Sequence, residues 1–90
     1  MQSPKRAHHL SWRKLGEHTI ILDSRVNQEV HHLNEVGAFL WELCDGEKSF
    51  DDICLQLTKE FDTNLETAKV DVTTFIEKLK EKSLLEENHE

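Results

Sequence analysis

The sequence predicts an α+β domain of winged-helix-like order, with an N-terminal three-stranded antiparallel sheet followed by three helices. Three observations carry that prediction. Apolar and polar residues alternate between His9 and Leu33, the period turns helical after Asn34, and turn or cap residues stand where each element should stop. At 90 residues there is room for one domain. It divides into a mobile basic arm over 1–8, a folded unit over 9–86 and an acidic tail over 87–90.

The strands come first. Leu10, Trp12 and Lys14 share one direction, and Gly16-Glu17 suits a turn. Thr19-Ile20-Ile21-Leu22 is a β-rich run. Asp23-Ser24-Arg25 reads as a second turn. Val26 to Leu33 resumes alternation, with Val26, Gln28, Val30 and His32 on one face and Asn27, Glu29, His31 and Leu33 on the other.

The helices follow with recognisable punctuation. Asn34 is a good N-cap, and Glu35 places a carboxylate in the first turn, where the helix dipole favours it. Val36, Phe39, Leu40 and Leu43 form a helical stripe flanked by Trp41 and Cys44, and Asp45-Gly46 ends it. Ser49 with Asp52 opens a second helix in the manner of a capping box, and its stripe is Phe50, Ile53, Cys54, Leu57 and Phe61. Asn64 caps a third, whose seam of Leu65, Ala68, Val72, Phe75 and Leu79 faces the core. Lys82-Ser83 closes that helix, and Leu84-Leu85 is an apolar tail able to tuck back.

Charge and composition narrow the function classes. The net charge is −7, yet residues 1–14 carry four basic side chains and no acid. An acidic body argues against a phosphate backbone as the main partner. A winged-helix DNA-binding regulator would read through the third helix, but residues 65–82 hold four acids against four lysines. No apolar run approaches a membrane span, and Met1 to Leu10 lacks the apolar core of a secretory signal, so a cytoplasmic location is expected. Cys44 and Cys54 fit neither a CxxC motif nor a disulfide framework and read as buried free thiols. The pairs His8-His9 and His31-His32 lack metal-ligand spacing, because neighbours on a strand point to opposite faces. No catalytic set and no glycine-rich phosphate loop is visible, so neither enzyme activity nor a cofactor is expected. A generic helical protein–protein adaptor shares this composition.

One stretch carries more. Leu33-Asn34-Glu35-Val36-Gly37-Ala38-Phe39-Leu40-Trp41-Glu42-Leu43 followed by Asp45-Gly46, then Asp71-Val72, Phe75, Leu79 and Leu84-Leu85, resembles the PqqD family of peptide chaperones in pyrroloquinoline quinone biosynthesis. The resemblance spans about residues 10–86. It implies a non-catalytic RiPP recognition element that binds the leader of a ribosomally made precursor peptide as an added strand and presents it to a modifying enzyme, often a radical-SAM protein. Asp23-Ser24-Arg25 stands where members of the quinone pathway often carry Pro-Glu, which points to a different peptide product.

Strand addition needs an open edge, and the residues supply a candidate. The polar, mixed strand around Glu29, Val30, His31 and His32 would pair with the leader. On the third helix, Lys69, Thr73, Ile76 and Lys80 fall together beside Val72 and Leu79, with Ile76 as apolar floor and the lysines as rims for an acidic leader residue. Read without the resemblance, the same four residues are an ordinary solvated flank around one half-buried isoleucine. The chain would act as a monomer or a weak dimer paired through its edges.

Overall fold

The computed structural model describes residues 3–23 and 29–86. Three strands, β1 (Ser11–Leu15), β2 (His18–Asp23) and β3 (Glu29–Leu33), precede three helices, α1 (Glu35–Leu43), α2 (Phe50–Glu60) and α3 (Leu65–Glu81). The sheet is an antiparallel meander in the order β1-β2-β3. The expected turn at Ser24-Arg25 and the start of the third strand at Val26 to Gln28 lie outside the described residues.

Local chemistry explains each boundary. Leu15 pairs with His18 across a two-residue turn whose Gly16 has φ 65°. A hairpin this tight needs positive φ at its first central residue, which glycine adopts without a Cβ clash. Asn34, Ser49 and Asn64 each accept a hydrogen bond from the backbone N–H three residues on, at Gly37, Asp52 and Thr67, and so cap the three helices as their types predict. The end of α3 is a Schellman turn: Ser83 N–H donates to Lys80, and Leu84 N–H donates to Leu79. Ser83 holds φ 60° there.

Alternation along β2 decides how the sheet packs. Thr19, Ile21 and Asp23 are buried, and Ile21 lies between Trp12 and His31 in register. His9 Nε2 stands 3.7 Å from the buried Asp23 carboxylate. Trp41, fully buried on α1, meets Trp12 edge-on at 6.0 Å. Two clusters share α1. One joins Ile21, Trp41, Cys44, Leu79, Leu84 and Leu85 under the sheet. The other joins Leu40 to Ile53, Leu57, Ala68 and Val72 between the helices. Phe75 and Ile76 pack against both and tie the layers together. Leu84 and Leu85 do tuck back, because the Schellman turn reverses the chain onto the core.

Residues 4–7, within the expected arm over 1–8, pack against the domain. Within this stretch, Lys5 bridges Asp45 and Arg6 bridges Leu85. Four main-chain hydrogen bonds hold it: Arg6 N–H to Cys44, Gly46 N–H to Pro4, Ala7 N–H to Leu84 and Glu86 N–H to Lys5. The Arg6 guanidinium donates to the carbonyls of Trp41 and Glu42 at 2.8 and 2.9 Å, where the end of α1 leaves acceptors open. It also lies 5.1 Å from the Trp12 ring. Gly46 (φ 84°) admits this passage, since a Cβ there would stand 3.0 Å from the Lys5 side chain. No helix among the described residues is long and apolar enough to cross a membrane.

Candidate functional site

β3 has β2 on one side, and among the described residues no strand pairs with its other side. A row of backbone donors and acceptors is therefore open along Glu29–Leu33. Beside it runs a groove of about 660 Å³ between β3 and α3. Leu33, Val36, Leu40, Phe75, Leu79 and Leu84 give it an apolar floor, while Asp71, Thr74 and Lys78 of α3, with Lys82 capping its end, form the far wall. Gly37 sets the depth. A Cβ at this position would lie 3.4 Å from Leu33 and 3.5 Å from the Phe75 ring, so any larger side chain would fill the space.

The two walls differ electrically. The α3 wall runs from the carboxylate of Asp71 to the ammonium groups of Lys78 and Lys82, so the groove has an acidic and a basic end. The β3 wall carries His31, which faces inward with Ile21, and His32, which faces outward with Ile20. On that outer face His18 Nδ1 and His32 Nε2 are 3.0 Å apart, a hydrogen bond between two imidazoles. Elsewhere burial pushes the Cys44 thiol up to about 12, so it holds no thiolate at neutral pH. The hydrogen bond from Lys48 holds the Asp45 carboxyl below its ordinary range, and that from His8 does the same for Glu86. Among the described residues no group of three or more His, Cys, Asp or Glu is arranged to hold a metal.

Val30, His31 and His32 of the expected strand run along the β3 rim of the groove, His31 on the inner face and Val30 and His32 on the outer. Glu29 takes its place in register opposite Asp23 at the start of the same strand. The structure does not bring Lys69, Thr73, Ile76 and Lys80 to the groove. None of them lines the groove, and Ile76 is half-buried against both cores instead of forming the floor. The seam of α3 has two flanks, and β3 lies beside the one bearing Asp71, Thr74 and Lys78. Periodicity treats the flanks alike, and Ile76 stands on the one away from the groove.

The model describing Coenzyme PQQ synthesis protein D (PqqD) matches residues 18–85. The chain belongs to the PqqD family. The match begins at β2, so β1 and the docked arm lie outside the stretch matched to PqqD. Among solved structures, TbiB1 in complex with the TbiA(beta) leader peptide has the same fold, with a TM-score of 0.83 at 21% identity, over 96% of this PqqD-family chain and 99% of that one. No curated protein matches the chain significantly.

Proposed function

We propose that this PqqD-family protein is a RiPP recognition element: a non-catalytic protein that captures the leader of a ribosomally synthesised precursor peptide on the β3 edge and presents it to a modifying enzyme. The observation that carries the reading is the open edge of β3 beside an apolar-floored groove walled by α3. The similarity in fold to TbiB1, whose complex holds a leader peptide, supports it.

Main-chain pairing to β3 would supply affinity, and alternate leader side chains would enter the groove above Phe75 for selectivity. Each pairing hydrogen bond contributes about 0.5–1.5 kcal/mol net, and each apolar anchor about 1.5–3 kcal/mol. Two or three anchors with four such bonds offset the ordering of the peptide and reach about −8 kcal/mol, near 1 μM. Holding the leader raises the effective concentration of the attached core peptide at the enzyme. A radical-SAM enzyme is one such partner, and the cytoplasm, where precursors are made, is the site of action in this reading. Lys78 and Lys82 suit an acidic leader residue.

Two neighbouring exposed threonines test the site. Thr74 lines the groove and Thr73 does not. With a 15-residue peptide selected from a random displayed library, Thr74→Trp should weaken binding at least tenfold by filling the groove, while Thr73→Trp stays within twofold. Amide shifts should change along 29–33 and 71–82. Equal effects of both substitutions, or shifts confined to α2, would refute the site.

A further inference from the structure

An added strand cannot hide half of its side chains. If every second leader residue enters the groove, the others must lie on the outer face of the sheet, next to Val30 and His32. That face is built from Ser11, Arg13 and Leu15 of β1, His18, Ile20 and Leu22 of β2, and Val30 and His32 of β3. Val30 is 59% exposed and stands directly opposite Leu22, itself 41% exposed. This apolar pair sits at an open edge, where it lacks a third partner. Two residues along, His32 stacks near His18 with ring centroids 4.9 Å apart. Beyond Ile20 in the same row is Arg13. The strand positions of this face carry Arg13, His18 and His32 and no carboxylate, in a chain of net charge −7.

We propose that this outer face reads the same leader: an apolar leader residue packs on Val30 and Leu22, and a leader carboxylate two positions away is held by the His18–His32 pair. The inference rests on leader capture at β3 and deepens it by naming the leader's chemistry. Side chains on one face of a strand recur every second residue, so the spacing is two whichever way the leader runs. The imidazole hydrogen bond makes one ring the donor and the other the acceptor. A neutral pair therefore keeps one further ring N–H to offer, and a protonated pair keeps two. Both forms suit a carboxylate acceptor, the protonated one with charge assistance. Leader recognition thus acquires two readouts of different chemistry, shape below the sheet and a charged hydrogen bond above it.

The test uses the random displayed 15-residue library on the unmodified protein, with enriched peptides then made individually. Enriched peptides should carry Asp or Glu two positions from an apolar residue. Changing that carboxylate to its amide should weaken binding about five- to tenfold on the native protein and less than twofold on His18→Gln, a substitution that leaves β3 intact. Val30→Thr should erase the apolar preference beside the acid. Enrichment at groove-facing positions alone, with no amide effect, overturns the outer-face readout while leaving capture at β3 standing. Peptides that bind Thr74→Trp as well as the native protein would overturn capture in the groove, and the outer-face readout with it.

Discussion

Burial acts on Cys44 through its ionisation. The thiol is 1% exposed, and loss of hydration pushes it from 9.0 to about 12, against a smaller opposing pull from Arg6. The folded protein then holds the thiol proton more tightly than the unfolded chain. Its contribution to stability is complete below pH 9 and is lost as pH rises from 9 toward 12, because only the unfolded thiol ionises there. Denaturation midpoints between pH 8 and 11 should fall more steeply for the native sequence than for Cys44→Ala, and iodoacetamide at pH 8 should leave Cys44 unmodified until denaturant is added. Arg6 works by the opposite device, a permanent charge. Its two hydrogen bonds to α1 carbonyls and its place beside Trp12 should make Arg6→Ala cost about 2–3 kcal/mol in urea unfolding. Arg6→Lys should recover only part of it, since an ammonium lacks the planar guanidinium face that lies over Trp12.

Elements were the most legible level of this sequence, and the reason is short-range chemistry. Asn34, Ser49 and Asn64 announce helix starts because their side chains replace a missing backbone acceptor, and each does so. Asp45-Gly46 and Lys82-Ser83 announce ends. What the pattern cannot carry is the azimuth of α3. Ala68, Val72, Phe75 and Leu79 define a seam, but which flank meets β3 depends on how the helix crosses the sheet, a relation between distant segments. Thus Val30, His31 and His32 of β3 line the groove, and from α3 it is Asp71, Thr74 and Lys78 that do so, not Lys69, Thr73, Ile76 or Lys80. Ser83 offers a clean test of the last turn. A residue with a Cβ at φ 60° is strained, and the two Schellman hydrogen bonds keep it there. Ser83→Gly should therefore raise stability by about 0.5–1 kcal/mol, visible as a higher urea midpoint at unchanged slope. An unchanged or lower midpoint would mean that the serine is not strained.

Taken whole, the molecule is closed by a segment that composition describes as a loose basic arm. Residues 4–7 are held through backbone groups, and main-chain pairing leaves no hydrophobic period in the sequence. The consequence is mechanical. The arm lies between the end of α1 and the segment after α3, accepting from Gly46 and Glu86 and donating to Cys44 and Leu84. It fixes the tail that carries Leu84, and Leu84 is part of the groove floor. Stability and the shape of the groove are thus coupled through a part of the chain outside the stretch that the family model matches. Removing residues 1–8 deletes four main-chain hydrogen bonds, the Arg6 contacts and the buried Ala7. At about 1 kcal/mol per hydrogen bond the loss is about 3–5 kcal/mol, a large part of what a domain of this size holds. Each kcal/mol shifts the melting temperature of so small a domain by about 4–8 °C. The truncated protein should melt at least ~12 °C lower, and its remaining folded fraction should bind the selected peptide more weakly because Leu84 loses its anchor. A freely moving arm would leave both the melting temperature and the affinity where they were.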